Sequence, residues 1–196
     1  SNILKTNQQK SSLLIRAIEN DEIYPYFQPI KPASASNKLV IHELLMRIHQ
    51  DGKIVSAYEF IEIAEARGLI NSMDLMVIEK AFKEIQRTQY EGILFINLSP
   101  KSLIVGDFIN KINAFVLKYE INKEKIVFEI TERETVKNFS LLEKFVHNLK
   151  SDGYKFAIDD FGSGFSSFHY IKKFPIDYVQ IDGDFIININ KDIKDK

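Results

Sequence analysis

Hydrophobic residues recur with two different periods along the chain, and the change of period predicts strands that alternate with helices. Two-residue alternation and short apolar runs predict strands over residues 23–30, 39–48, 93–98, 125–131, 155–159 and 177–181. Apolar stripes at helical spacing predict helices over residues 11–20, 73–86 and 107–119. There is no internal repeat, so the pattern predicts an ordinary α/β domain.

Two further helices are predicted from sequences typical of helix starts. Ser56 is followed three residues later by Glu59, and Ser140 by Glu143, which is the spacing of a capping box. A glycine follows each of these helices at a position suited to ending it. A Gly/Ser loop after residue 160 leads into a predicted short helix over residues 165–172.

The alternation of strands with helices favours a mostly parallel sheet covered by helices. A closed (β/α) barrel is the first candidate architecture, and a doubly wound open sheet is the alternative. Six strands in 196 residues are few for an eightfold barrel, because that fold usually takes about 250 residues.

Composition narrows the classes of protein that are plausible. The 26 basic and 27 acidic residues leave a net charge of -1, so no overall basic field attracts a nucleic acid polymer or an anionic membrane. The absence of Cys excludes zinc–thiolate sites and fits a reducing cytoplasm. No apolar run reaches the roughly 18 residues of a membrane span. The start at Ser1-Asn2, without Met, is what a processed tag or an excised fragment would give.

Side chains that carry an oxygen ligand occur where the predicted buried strands end. These residues are Glu43, Asn97, Glu129, Asp159, Asp160 and Gln180. The carboxyl ends of parallel strands form the ligand face of barrels and open sheets, so we expect these side chains to converge. Converging carboxylates repel one another unless a cation neutralises them, and oxygen ligands favour Mg²⁺, Mn²⁺ or Ca²⁺. Solvated acids or helix N-caps are the alternative interpretation.

The neighbouring Asp159 and Asp160 could bridge two ions. Two metals about 3.5 to 4 Å apart form the usual clamp for in-line displacement at phosphorus. The Gly/Ser loop that follows is interpreted either as a tight strand-to-helix turn or as a backbone that adjusts around metal and phosphate. Arg47 shares a strand face with Glu43, where it could hold a phosphate oxygen or pair with an acid. The four His residues are assigned no chemistry.

Several short motifs follow one another in a fixed order between residues 26 and 183. They are Tyr26-Phe27-Gln28-Pro29-Ile30, Glu43-Leu44-Leu45-Met46-Arg47, Asn97-Leu98-Ser99-Pro100, Glu129-Ile130-Thr131-Glu132, Asp159-Asp160-Phe161-Gly162 and Tyr178-Val179-Gln180-Ile181-Asp182-Gly183. An ordered set is far more specific than any one motif. The set resembles the EAL family of bacterial cyclic di-GMP phosphodiesterases.

The resemblance implies a TIM-like barrel of the EAL type whose first strand runs antiparallel. Residues 1–20 would form an N-terminal helix or linker, and residues 21–196 the EAL-like domain. It implies hydrolysis of cyclic di-GMP to linear pGpG with Mg²⁺ or Mn²⁺, as part of bacterial signalling in the cytoplasm. A longer parent protein with sensory or GGDEF-type domains is the expected setting.

The resemblance also implies roles for individual residues. Ligands of the first metal are matched by Glu43, Asn97, Glu129 and Asp159, and the acids that serve the second metal by Asp159 and Asp160. Substrate contacts are matched by Gln28, Leu45 and Arg47. Glu132 matches the acid that steadies the Gly/Ser loop.

Two departures from the family pattern lower the expected activity. Gln180 occupies the position of a family Lys beside the attacking water, and an amide cannot compensate an anionic centre as an ammonium group does. Loss of one such electrostatic group typically costs about 10² to 10³ in rate. The family also continues through two more strands, which carry a further metal-site Glu and a substrate-contacting Gln. We therefore expect a fragment whose barrel is incomplete at its C-terminus.

An incomplete barrel exposes strand edges and apolar surface, which favours a homodimer. The first expected function is a metal-dependent cyclic di-GMP phosphodiesterase that turns over slowly. The alternative is a degenerate EAL-like module that binds cyclic di-GMP or a protein partner without turnover.

Overall fold

A computed structural model describes residues 7–33, 39–56, 59–104, 107–162 and 174–181. The chain divides into two compact units. The first contains the described residues up to Gly92 together with Lys101–Asn122. The second contains Ile93–Pro100 together with the described residues from Lys123 onwards.

An antiparallel sheet of three strands runs through the first unit. In chain order its strands are β1 (Ile23–Ile30), β2 (Ile41–Gln50) and β3 (Lys53–Ser56), and β2 pairs with both of the others. Two-residue alternation gives the β1–β2 pair two unlike faces. One face is almost fully buried at Ile23, Leu44 and Ile48. The other face carries mainly polar and aromatic side chains that are exposed or half-buried, and only Ile41 at its edge is buried, with 7% exposure.

The turn between β2 and β3 consists of Asp51 and Gly52, whose φ angles are 50° and 72°. Positive φ at both central residues gives a two-residue hairpin turn the twist that its strands need. Asp-Gly is a strong sequence signal for such a turn. The sequence prediction nevertheless missed β3, because its four residues are too few to show a period.

The described residues of the first unit hold four helices and most of a fifth. They are α1 (Asn7–Glu19), α2 (Ile61–Ala66), α3 (Ile70–Thr88), α5 (Phe108–Lys118) and all but the first residue of α4 (Pro100–Ile104). Helix α3 packs against β1 and α5, and α1 packs against α2 and β2. Within the described ranges, no helix has the length and apolar character needed to cross a membrane.

Four parallel strands form the sheet of the second unit. They are β4 (Ile93–Asn97), β5 (Ile126–Thr131), β6 (Lys155–Phe161) and β7 (Tyr178–Ile181), and they pair in that order. Residues 126–130 of β5 are all buried, as is usual for a strand covered on both faces. Helices α6 (Glu132–Lys137) and α7 (Phe139–Ser151) pack against β6.

All six predicted strands are present, and none of their ends is displaced by more than two residues. The three helices predicted from apolar stripes are present as α1, α3 and α5. Helices α4 and α6 were not predicted, because five or six residues are too few for a stripe. The short helix predicted over residues 165–172 lies outside the described residues.

Both predicted capping boxes are wrong. Ser56 is the last residue of β3, and helix α2 begins five residues later, after Phe60, without a side-chain cap. Helix α7 already begins at Phe139, so Ser140 lies inside it. A capping box is a local pattern, and here strand pairing and the end of the preceding helix decide where each helix begins.

One acidic side chain lies in the core of the first unit. Asp74, on α3, is 8% exposed, and its Oδ2 accepts a hydrogen bond from the buried Ser102 hydroxyl on α4 at 2.7 Å. Burial raises the pKa of Asp74 to about 7, the Ser102 hydrogen bond opposes this shift, and the negative charge of Glu65 adds to it. A group that changes charge near neutral pH therefore joins α3 to α4.

We expect Asp74 to make the chain less stable as the pH rises from 3.8 to about 7. In that window the folded chain keeps a proton that the unfolded chain has already released, and each pH unit costs up to about 1.4 kcal/mol. The stability that depends on protonated Asp74 is fully present below pH 3.8 and fully lost above a pH of about 7. Asp74→Asn keeps the shape without the charge. The unfolding free energy of Asp74→Asn minus that of wild type should therefore increase by on the order of 2 kcal/mol between pH 5 and pH 8.

Urea unfolding at pH 5, 6.5 and 8 measures this difference. Glu62→Gln is the control, because it removes one acid from the exposed surface of α2. An effect of Asp74→Asn that is the same at all three pH values would contradict the prediction.

Candidate functional site

The predicted site residues fall into two sets, one in each unit. In the first unit, Gln28 stands directly opposite Glu43 in the β1–β2 pair, and Tyr26 stands opposite Leu45. Residues directly opposite one another point to the same face, as do residues two apart along a strand. Gln28, Glu43, Leu45 and Arg47 therefore share one face of the hairpin, opposite to the face of Ile23, Leu44 and Ile48.

The Arg47 guanidinium lies over an aromatic ring on this face. Its Nη1 donates a hydrogen bond to the Met46 carbonyl at 2.9 Å, and its central carbon is 5.7 Å from the centre of the Tyr26 ring. The described residues provide no carboxylate in a salt bridge with Arg47.

In the second unit, the predicted residues follow one another across neighbouring strand ends. Asn97 on β4 pairs with Glu129 on β5, and Thr131 at the end of β5 pairs with Asp159 on β6. Paired residues of parallel strands point to the same face. The Asn97, Glu129 and Asp159 side chains thus lie on one face, near the carboxyl ends of three adjacent strands.

The pairing of β6 with β7 slips by one residue beyond Ile158. Two residues of β6, Asp159 and Asp160, consequently stand against the single residue Gln180 of β7. Asp160 takes a φ of 53°, and its N–H donates to Asp159 Oδ1 at 2.7 Å. A bulge of this kind changes the direction of a side chain. Strict alternation would place the two acids on opposite faces, and the bulge releases Asp160 from that rule.

The side chain of Gln180 is half-buried at this bulge. Its Oε1 is buried and accepts no hydrogen bond from any of the described residues. A buried acceptor without a donor is unfavourable, so this oxygen is suited to receive a hydrogen bond from water or a ligand. The amide offers no positive charge.

Glu132 and Thr131 fix the backbone around the end of β6. The Glu132 side chain is 4% exposed, and its Oε2 accepts a hydrogen bond from the Gly162 N–H at 3.2 Å. Thr131 Oγ1 caps α6 by accepting from the Glu134 N–H at 3.3 Å. Gly162 has a φ of 97°, which glycine adopts without a steric cost. Glu132 therefore holds the residue at which β6 gives way to the Gly/Ser loop.

The ligands available in the second unit fit a hard divalent cation. Asn97, Glu129 and Asp159 all offer oxygen, and the Glu129 carboxylate is completely buried at 0% exposure. Burial disfavours a charged carboxylate unless a cation or hydrogen-bond donors compensate it. No three His, Cys, Asp or Glu side chains in the described ranges are grouped so that they could hold an ion. An ion on this face would need the Asn97 amide oxygen and further oxygen ligands.

Sequence reasoning placed Tyr26 on the face of Gln28 without giving it a role, and it missed the aromatic side chains of Tyr24 and His49 on the same face. Tyr24 and Tyr26 lie on this face of β1, and His49 extends it on β2. Their two-residue spacing from Gln28 and Arg47 was the signal that could have shown this.

The two sets define an α/β protein whose parallel strands end in oxygen ligands. The family model described as "EAL domain" matches residues 12–196. The chain therefore belongs to the EAL domain family, which confirms the resemblance carried by its motifs.

Two relatives are named as cyclic di-GMP phosphodiesterases. PdeB of Shewanella oneidensis is 36% identical over 186 residues, which cover 93% of this chain and 22% of that protein. PdeA of Borreliella burgdorferi is 35% identical over 191 residues, which cover 96% of this chain and 28% of that protein. The chain thus spans about a quarter of the length of these relatives.

The fold matches a crystal structure of the FimX EAL domain from Pseudomonas aeruginosa bound to c-di-GMP. The TM-score is 0.83 at 24% identity, over 92% of this chain and 74% of that chain. The likeness confirms the predicted fold class, an EAL-type α/β fold of the TIM-like kind. The antiparallel pairing of β1 agrees with it.

We expect position 160 to respond to side-chain shape more than to charge. At a φ of 53°, Asp and Asn are tolerated, whereas a β-branched side chain clashes with the backbone. Asp160→Val should lower the free energy of unfolding by about 1 to 3 kcal/mol. Asp160→Asn, the control, should change it by less than about 0.5 kcal/mol. Urea unfolding measures both variants, and equal losses would show that the left-handed backbone is not the constraint.

Proposed function

We propose that the chain is the phosphodiesterase domain of a cyclic di-GMP signalling protein, and that it hydrolyses cyclic di-GMP to linear pGpG. Its membership of the EAL family and the names of two relatives support this activity. The observation that carries the proposal is the row of oxygen ligands, from Asn97 through Glu129 to Asp159, on one face of the parallel sheet.

The proposed metal ligands are Glu43, Asn97, Glu129 and Asp159, with Asp159 and Asp160 serving a second ion. The bulge supports the double role of the two neighbouring acids, because it releases Asp160 from strict alternation. Glu43 is included on the strength of the family motif. Mg²⁺ or Mn²⁺ is the proposed ion, since every ligand is an oxygen. When bound, it would polarise the phosphoryl group and lower the pKa of the attacking water.

The face of the β1–β2 pair is the proposed substrate surface. Arg47 would hold a phosphate oxygen through a charge-assisted hydrogen bond, which the lack of a competing salt bridge among the described residues favours. Gln28 would bind a polar edge of the substrate, and Leu45 would contact it through apolar surface. Glu132 would keep the start of the Gly/Ser loop in place through its hydrogen bond to Gly162.

One observation supports a second candidate function. Gln180 has a buried amide oxygen and no charge, so it could accept a hydrogen bond but could not stabilise developing negative charge as a Lys would. A domain that binds cyclic di-GMP and scarcely hydrolyses it is therefore the alternative. In either case we place the domain in the cytoplasm, within a longer protein that carries sensory or GGDEF-type segments. The chain spans about a quarter of the length of the two named relatives, which supports a longer parent protein.

We expect the purified chain to convert cyclic di-GMP to pGpG slowly when Mn²⁺ or Mg²⁺ is present, and not in EDTA. Glu129→Gln keeps the size of the side chain and removes a proposed ligand charge, so it should abolish conversion. Glu62→Gln on the surface of α2 is the matched control and should behave as wild type. Chromatography of the nucleotides measures the product. If wild type forms none with either metal, hydrolysis is wrong for this chain, and calorimetric binding of cyclic di-GMP would then identify the alternative.

We expect Gln180→Lys to increase the rate of hydrolysis. The ammonium group restores a positive charge at a half-buried position that stands against the two neighbouring acids in the strand pairing, where one such group is typically worth about 10² to 10³ in rate. Gln180→Met, the control, keeps the length without charge or polarity and should not increase it. Initial rates at saturating substrate test this. A Lys variant that folds, binds substrate and is no faster than wild type would refute the role assigned to position 180.

A further inference from the structure

The start of β7 is held to β6 through one carboxylate. Asp177 lies immediately before β7, and its Oδ2 accepts a hydrogen bond from the Phe156 N–H at 2.8 Å. The Asp177 N–H in turn donates to the Phe156 carbonyl at 2.9 Å. Two hydrogen bonds therefore join these residues, one through the Asp177 side chain and one through the backbone. They extend the pairing of β7 with β6 by one residue before the strand begins.

A cation on helix α7 fixes this carboxylate. Lys150 Nζ donates to both Oδ1 and Oδ2 of Asp177, at 2.5 Å each. The two side chains are only 28% and 24% exposed, so water screens the ion pair less than it would on an open surface. A carboxylate that is bound by an ammonium group and by a backbone N–H has little freedom to leave its position. We call this group, Asp177 with Lys150 and Phe156, the Asp177 clamp.

The two ends of β7 pair with β6 in registers that differ by one residue. Before the bulge, the pairs are Phe156 with Asp177, Ala157 with Tyr178 and Ile158 with Val179. After the bulge, the pair is Phe161 with Ile181, whose partners are one residue closer in the sequence. A bulge is the consequence, because β6 has to accommodate one additional residue between the two registers.

The Asp177 clamp competes with a simpler arrangement of the same strands. If the register after the bulge continued through all of β7, Ile158 would pair with Tyr178, and Asp160 with Gln180. No bulge would then be needed. Among the described strands, β7 pairs with β6 alone, and it has only four residues. Few backbone hydrogen bonds therefore oppose such a slip, and the clamp decides between the two registers.

We propose that Asp177 is a positioning residue, which enforces the bulge and thereby sets the direction of Asp160 beside Asp159. Its effect on turnover rests on the proposed function, in which these two acids serve the second ion. In the simpler register, Asp160 would return to strict alternation and point to the face opposite Asp159. Asp177 itself lies at the other end of β7 from Gln180 and Ile181. It acts through the geometry of the two acids and not through contact with substrate.

Disulfide trapping can report the register, because the chain contains no Cys of its own. Adjacent strands lie about 4.8 Å apart, which is within the range of about 4.4 to 6.8 Å between the Cα atoms of a disulfide. Ile158→Cys with Val179→Cys reports the register before the bulge. Ile158→Cys with Tyr178→Cys reports the simpler register, since Tyr178 and Ile158 now point to opposite faces. Mass spectrometry after mild oxidation measures the cross-linked fraction of each pair.

We expect the Val179 pair to cross-link far more than the Tyr178 pair in the otherwise wild-type chain. Asp177→Ala should shift the ratio of the two towards the Tyr178 pair by about tenfold or more. Asp177→Asn keeps one oxygen for the Phe156 N–H and loses the charge, so it should shift the ratio only about threefold. Asp152→Ala is the control, because it makes the same substitution at an exposed acid just after α7. It should leave the ratio unchanged.

Turnover, measured without the introduced Cys residues, separates positioning from a general loss of stability. Asp177→Ala should lower kcat about 10²-fold, since a misplacement of about 1 Å can cost this much. KM should change less than about threefold, because the proposed substrate contacts lie on β1 and β2. Gln180→Lys should give little increase in rate when combined with Asp177→Ala, because position 180 then faces Asp160 alone. Thermal melting shows that each variant is folded at the assay temperature.

The outcomes distinguish this inference from the proposed function. If the cross-linking ratio in Asp177→Ala equals that of wild type, the positioning role is refuted and the proposed function stands. If the ratio shifts but kcat does not, a role in the reaction is refuted. If the ratio shifts and wild type forms no pGpG with either metal, the Asp177 clamp stands and the proposed function fails. Should Asp177→Ala not fold, Asp177→Asn decides, and an unshifted ratio in that variant overturns the inference.

Discussion

The parallel backbone pairing of β4, β5, β6 and β7 sets the position of every proposed oxygen ligand in the second unit. Neighbouring strands lie about 4.8 Å apart, so the backbone alone places side chains at paired positions side by side. No contact between these side chains is needed to fix their positions. A slip of one residue between β4 and β5 would send Asn97 and Glu129 to opposite faces. The hydrogen bonds of the sheet therefore hold Asn97, Glu129 and Asp159 on one face.

Two of the buried acids, Asp74 in the first unit and Glu129 in the second, have different surroundings. Asp74 is joined to the Ser102 hydroxyl, and burial raises its pKa to about 7, so the protein accommodates it by letting it take up a proton. Glu129 sits in a strand that is otherwise apolar and faces the same side as Asn97 and Asp159. The burial of Asp74 is explained by the packing of α3 and α4, which the hydrogen bond to Ser102 joins. The second acid, Glu129, is more costly to bury than an apolar residue would be, because its carboxylate is 0% exposed.

Much of this arrangement could be predicted from the sequence, and the failures have physical causes. The two-residue alternation predicted both ends of β1 correctly, and it placed Glu43 and Arg47 on one face. It could not show that β1 runs antiparallel, because both kinds of pairing have the same two-residue period, and that expectation came from the family resemblance. The bulge at Asp160 was missed for a related reason. Its evidence lies in the partner strand, which no local pattern contains.

The bulge also limits how the length of this part of the chain can vary. Residues of β6 beyond Asp160 are in phase with β7 only because one additional residue precedes them. Deleting that residue would restore unbroken alternation and move the last residue of β6 to the opposite face, next to the glycine held by Glu132. Among descendants of this sequence, selection should therefore remove insertions and deletions between Ile158 and Gly162. Surface loops elsewhere should tolerate changes in length.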